Sequence, residues 1–323
     1  MKPILLRSMT KRHAVFSNSL RNNSNHVKIV EVGPRDGLQN EKTIVPQEIK
    51  LKFIEKLVQA NVNNIEATAF VSPKWVPQMA DQSEIMSACH QNLRKEGIIF
   101  SALTPNLQGY ENAVKTGTDE VAVFAAASQA FSKKNINCSI EESIERFAPI
   151  FQQAKKDQKK VRGYVSCIAG CPYQGNVPID DVVNVTKLLY EAGCYEISLG
   201  DTIGVGTSER IKEVVSAITN SGGIPINAIA LHCHDTYGQA MSNCLAALEM
   251  GVRVFDGATS GLGGCPYAKG ASGNVATEDL VYMLHGNGFE TEIDLSRLVE
   301  AGNFISEYLG RANGSKVAVA CRK

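Results

Sequence analysis

The sequence has no surplus of either charge. Lysine plus arginine and aspartate plus glutamate number 33 each and the pI is near 7.0, so no global field draws the chain onto nucleic acid or an anionic membrane. No apolar run nears the roughly 20 residues a membrane helix needs. Those absences predict a soluble protein with a small-molecule partner. A disulfide framework is missing too: nine cysteines in 323 residues are few and irregularly spaced, and most sit in apolar runs where a reduced thiol packs as a small hydrophobe. Cys167 and Cys171 fit neither the redox C-x-x-C spacing nor the usual zinc pairs and are expected to pack. A reducing compartment fits this usage.

Acidic side chains are absent from the first thirty positions, where Lys2, Arg7, Lys11, Arg12, Arg21 and Lys28 lie among serines and asparagines. This is the composition of a transit peptide, and a disordered basic tail has it as well. Residues 1–26 are therefore read as one or the other, with the mitochondrial matrix favoured slightly over a bacterial cytoplasm. Beyond them no Gly- or Ser-rich linker divides the chain, which predicts one catalytic domain over residues 27–323.

What the sequence does have is alternation. Short β-rich runs are expected as strands at Val27–Val32, Asn64–Phe70, Ile98–Leu103, Glu120–Ala125, Val161–Cys167, Tyr195–Leu199, Ile229–His234 and Val252–Asp256. Stretches of helical period separate them, the pattern of a parallel sheet with crossover helices. Pro46–Ala60 carries apolar residues at Ile49, Phe53, Ile54 and Leu57, and Ser139–Lys155 opens on a capping box of Ser139 and Glu142. Helices are expected to stop at Gly193 and Gly251. Leu295–Leu309 reads as one further helix. Eight strand–helix units predict an α/β TIM (β/α)8 barrel with an extra C-terminal helix. A doubly wound open sheet shares the alternation, but the unit count and the placement of polar residues favour closure.

Active sites of such barrels form at the C-terminal strand ends, and the unusual residues collect there. Strand one runs into Gly33-Pro34-Arg35-Asp36-Gly37, strand two contains Glu66, strand six runs into Asp201, and strand seven carries His232 and His234. Two apart on a strand, both imidazoles point to one face while Cys233 points to the other. A lone histidine is usually a hydrogen-bonded core residue, but this pair at this place suits a divalent metal. Asp36 and Asn274 lie at neighbouring strand ends and would complete the set. Two nitrogens and two oxygens without a thiolate suit Mg²⁺ or Mn²⁺, although zinc would also bind. The run Gly261-Leu262-Gly263-Gly264-Cys265-Pro266-Tyr267 fits neither dinucleotide nor Walker pattern, and is read as a mobile loop delivering Cys265.

VEVGPRDGLQNE from Val30, FVSPKWVPQMAD from Phe70, SLGDTIGVG from Ser198, LHCHDTYGQA from Leu231 and GLGGCPYAKGASGN from Gly261 together resemble the hydroxymethylglutaryl-CoA lyase family. The resemblance runs from about Val27 to the C-terminus. It implies metal-dependent cleavage of 3-hydroxy-3-methylglutaryl-CoA to acetoacetate and acetyl-CoA, as in ketone-body formation and leucine degradation. It further implies Asp36, His232, His234 and Asn274 as metal ligands, Arg35 as the substrate-binding and polarising cation, Cys265 as the active-site thiol, Glu66 and Asp201 as supporting acids, and a homodimer. Asp36 and His232 are both open as the base for the substrate hydroxyl. Ala69 stands where the family often has serine. The end, Cys321-Arg322-Lys323, keeps a cysteine but not the leucine of a peroxisomal signal. The alternatives are a Claisen-type acyl-CoA and 2-oxoacid synthase of the same superfamily and a non-catalytic metal-binding barrel.

Overall fold

The computed structural model describes residues 25–264 and 273–322. The bulk of the basic leader and Cys265 lie outside these residues. Eight parallel strands close on themselves in sequence order: β1 (Lys28–Glu31), β2 (Asn64–Ala69), β3 (Ile99–Leu103), β4 (Glu120–Ala126), β5 (Lys160–Ser166), β6 (Glu196–Asp201), β7 (Ile229–Cys233) and β8 (Val254–Gly257). β8 pairs with β1 in register Lys28 to Val254 and Val30 to Asp256. The expectation of a closed barrel is met and the open sheet is not.

The strands are joined by α1 (Gln47–Gln59), α2 (Gln82–Ala88), α3 (Leu107–Lys115), α4 (Gln129–Ile136), α5 (Ile140–Lys156), α6 (Ile179–Ala192), α7 (Ser208–Asn220) and α8 (Ala240–Glu249), and α9 (Thr277–Gly286) follows β8. α1 buries Phe53, Ile54 and Leu57 against the barrel, as its apolar spacing requires. α5 begins with both halves of the Ser139–Glu142 capping box, satisfying two of the amide groups that a helix start leaves open. α6 stops where Gly193 takes φ 118°, a left-handed turn that glycine enters without steric cost. The extra helix is α10 (Leu295–Tyr308), packed against α1. A short α11 (Lys316–Ala320) follows it. The expectation of a single additional helix is thus short by one turn-and-a-bit of structure. That segment is held less by apolar period than by Asp279, which accepts from the Ser315 hydroxyl at 2.7 Å and the Val317 amide at 2.8 Å.

The barrel's interior is not filled by aliphatic layers alone. Arg162 on β5 reaches Asp256 on β8, with hydrogen bonds of 2.7 and 3.2 Å, and donates through Nε to Glu196 on β6 at 2.7 Å. Since β5 and β8 are not neighbours, the first contact spans the lumen. Tyr164, also on β5, reaches Glu66 on β2 in the same way at 3.0 Å. A column of paired charge therefore rises through the barrel towards the mouth at which the site is built.

Candidate active site

The residues after β1 form a tight five-residue turn, Gly33–Gly37, one hydrogen-bond register wider than an α-turn. Such bulges are frequent at functional sites. Gly37 must lack a Cβ, because one built there would stand 2.7 Å from the Cβ of Leu262. That close approach brings the loop after β8 against the turn. The same loop runs back beside the end of β7: the Val275 amide donates to Cys233 O at 2.9 Å, and His234 and Asn274 form a single antiparallel bridge. Residues 36 and 274, far apart in the chain, thus meet beside the histidines.

Asp36, His232 and His234 each offer one ligand atom, all within 4.8 Å of one another. The imidazole centroids are 5.4 Å apart. The Asn274 amide donates to Asp36 Oδ2 at 2.9 Å and to Leu262 O at 3.1 Å, which orients its own Oδ1. That Oδ1 and the Nδ1 of His234 are buried with no hydrogen-bond partner among the described residues. A buried unpaired acceptor costs roughly 1–3 kcal/mol, and a cation at this point would satisfy both. The donor set fits a hard or borderline divalent ion. β7 ends at Cys233, one residue earlier than expected, so His234 belongs to the bridge with Asn274 rather than to the ladder. Cys233 points away, to Cys244 on α8, and its thiol is pushed up by that contact and by burial.

Charge at the site is arranged for binding. Burial alone would raise the Asp36 carboxyl, but Arg35 first and then both histidines hold it at about 2. His234 is lowered to about 4, by burial and then by His232, so it is neutral and able to ligate at neutral pH. Arg35 is 6% exposed. It ion-pairs through Nε with Glu66 and through Nη1 with Asp36, the latter at 2.6 Å. Although burial opposes its charge, Glu66 and Asp36 raise its pKa further. Glu66 sits at the irregularity where β2 shifts register between Glu66 and Thr68, and its two oxygens are divided between Arg35 and Tyr164.

Asp201 is placed differently. Its carboxylate accepts the amides of Val205 at 3.1 Å and Gly206 at 2.9 Å, so it secures the loop after β6 and is wholly buried. Burial raises its pKa and those amides oppose the rise. Tyr164, Asp256 and Arg162 were not singled out in the sequence although they touch this constellation. Arg162 and Tyr164 are two apart on one strand, and a charged residue at an inward strand position is the signal that could have found them. The mouth opens into a cavity of about 750 Å³ lined by Arg35, Asp36, His232 and His234, by Lys134 and Arg146 of α4 and α5, and by Trp75. Trp75 is 87% exposed.

A family profile described as HMGL-like matches residues 26–305. The mitochondrial hydroxymethylglutaryl-CoA lyase of Mus musculus is 54% identical over 321 residues, covering 99% of this chain and 97% of the relative. A crystal structure of hydroxymethylglutaryl-CoA lyase from Pseudomonas aeruginosa superposes with a TM-score of 0.88 at 49% identity, over 92% of this chain and 97% of the other. An HMG-CoA lyase from A. baumannii in complex with coenzyme A and 3-methylmalate gives 0.86 at 36% identity, over 93% and 96%.

Proposed function

This chain belongs to the HMGL-like family, and we propose that its barrel mouth cleaves 3-hydroxy-3-methylglutaryl-CoA to acetoacetate and acetyl-CoA. The observation that carries this reading is the placement of a buried, charge-paired Arg35 one residue from Asp36, which shares a 4.8 Å cluster with His232 and His234. A carbon–carbon cleavage that leaves an enolate needs a fixed cation where the negative charge appears. It also needs a site that acidifies a hydroxyl.

Asp36, His232, His234 and Asn274 would hold a divalent ion, and their donor set suits Mg²⁺ or Mn²⁺. When bound, that ion supplies Lewis acidity that lowers the pKa of the substrate's tertiary hydroxyl. Asp36 takes the hydroxyl proton, since both nitrogens of His232 are engaged, Nδ1 beside Asp256 and Nε2 on the side of Asp36 and His234. The resulting electron pair forms the ketone of acetoacetate as the C2–C3 bond breaks, and the pair from that bond passes into the thioester as an enolate. Arg35, permanently charged, stabilises the oxygen of that enolate. Glu66 fixes the guanidinium, and Tyr164 fixes Glu66. Cys265 gives a proton to the enolate carbon and releases acetyl-CoA. Asp201 contributes by holding the β6 loop that forms one wall.

The same cavity has room for the rest of the thioester. Lys134 and Arg146, exposed cations on the cavity wall, are the groups we assign to the CoA phosphates. The enzyme is read as a homodimer, and as resident in the mitochondrial matrix, a placement supported by the basic, acid-free leader and the mitochondrial relative. Light scattering and import into isolated mitochondria test these two points.

The activity is tested by following acetyl-CoA and acetoacetate from 3-hydroxy-3-methylglutaryl-CoA with Mg²⁺, with Mn²⁺, after chelation, and with Cys265→Ser. Metal-dependent formation of both products, lost in the variant, is the expected outcome. A metal-loaded protein that makes neither product overturns the reading.

A further inference from the structure

His232 turns a different nitrogen to each of two neighbours. Its Nε2 lies 4.0 Å from Asp36 Oδ2, on the side where His234 and Asn274 converge. Its Nδ1 lies 3.2 Å from Oδ2 of Asp256, on the neighbouring strand β8. Asp256 is 1% exposed and has little freedom. Arg162 holds it with bonds of 2.7 and 3.2 Å, and the Ser198 hydroxyl donates to the same Oδ2 at 2.7 Å. Arg162 is in turn braced by Glu196 at 2.7 Å. Tyr164 closes the other flank of the imidazole, edge-on with centroids 6.1 Å apart.

A neutral imidazole carries one proton and can ligate only through the nitrogen that lacks it. An anion facing Nδ1 keeps the proton there, because a charge-assisted hydrogen bond is stronger than a neutral one. We propose that Asp256 is the positioning residue of the metal centre: it fixes His232 in the Nδ1–H form and in the orientation that presents a bare Nε2 to Asp36 and His234, with Arg162 as its anchor. This rests on the metal-lyase reading of the same site and extends it to residues across the barrel. A purely structural Asp256 would serve only to neutralise Arg162, and would have no need to place the oxygen it shares with Ser198 against an imidazole nitrogen.

Asp256→Asn tests this with little change of shape. An asparagine can turn its NH₂ to Nδ1, which moves the ring proton to Nε2 and blocks the ligand. Wild-type protein is first stripped by chelation, then assayed for Mn²⁺ affinity by calorimetry and for cleavage. If it does neither, the metal-lyase reading itself falls; if it does both, the variant decides the role of Asp256 alone. The expected result is a loss of Mn²⁺ affinity of about 10- to 100-fold in Asp256→Asn, the range typical of residues that orient a ligand. Ser198→Ala, which leaves the carboxylate and its charge in place, is expected to change affinity by less than about threefold on the same reasoning. Long-range ¹⁵N–¹H correlation of ¹⁵N-histidine protein with Mg²⁺ bound gives a second readout, the His232 signals being identified by their loss in His232→Gln. The wild type should show Nδ1–H. Mn²⁺ affinity within about twofold of wild type in Asp256→Asn overturns the proposal. So does a wild-type His232 protonated on Nε2 in the loaded protein, a result that holds even if Asp256→Asn does not fold.

Discussion

Arg35 Nε donates to a carboxylate oxygen of Glu66 whose partner oxygen accepts the Tyr164 hydroxyl at 3.0 Å. The guanidinium is therefore fixed before substrate arrives, and little reorganisation is left for the moment at which charge develops.

Removing the charge while keeping much of the shape should fall on the chemical step. Arg35→Gln is expected to lower turnover by about 10³-fold or more, with metal affinity nearly unchanged, since the loss concerns charge that forms only in the transition state. Steady-state kinetics beside a Mn²⁺ titration measures both. Near-normal turnover would remove Arg35 from this role.

His234→Ala should do the reverse. Its Nδ1 is a buried nitrogen without a partner among the described residues, and its low pKa keeps it neutral. Loss of one neutral nitrogen from a four-donor set should weaken Mn²⁺ binding by about tenfold or more. Calorimetry on chelator-stripped protein reads it directly, and unchanged affinity would refute the assignment.

Lys134 and Arg146 on the cavity wall are proposed to act on binding of the CoA phosphates rather than on the reacting atoms. Lys134→Glu is expected to raise KM for the thioester by about tenfold and to leave kcat in place, the signature of lost uniform binding. Both Lys134 and Arg146 are exposed, so the wild-type KM should climb with ionic strength as their charge is screened. A KM indifferent to both changes would place the phosphates elsewhere.

Eight strands and the places of Arg35, Asp36, His232, His234 and Asn274 were legible because each depends on local pattern: period-two runs, strand-end positions, and a pair of histidines on one face. Asp256 was read only as the last residue of a strand, and Arg162 as an unremarked member of another. Their importance depends on β5 and β8 facing each other across the lumen, a relation of register that no window of sequence contains. Asp201 shows the converse. Its strand-end position suggested chemistry, yet its oxygens are occupied by the amides of its own loop, which only the path of the chain could reveal.

Stability should depend on pH through Glu278. Burial raises it to about 8 even though the Ser260 amide hydrogen-bonds its carboxylate at 2.9 Å. Glu31, buried close by, is also raised by burial. A carboxyl whose folded pKa lies above its unfolded value of 4.5 binds its proton more tightly in the folded state. The stabilisation is complete below about 4.5, and is lost as pH rises through about 8. Melting temperature should therefore decline from pH 6 to pH 9 in the wild type and decline less in Glu278→Gln, on the same linkage. Parallel melting curves across that range would argue against a raised Glu278.

The charged column inside the barrel sets a limit on how this enzyme could be improved. Buried ion pairs such as Arg162 with Asp256 and Glu196 are often matched or exceeded in stability by well-packed apolar residues of the same volume. A search for heat-resistant variants would thus be drawn to refill the lumen with leucine and valine. Such a gain at Asp256 would remove the carboxylate beside His232, and one at Arg162 would remove the anchor of that carboxylate, so selection for robustness alone and selection for turnover would pull these positions in opposite directions.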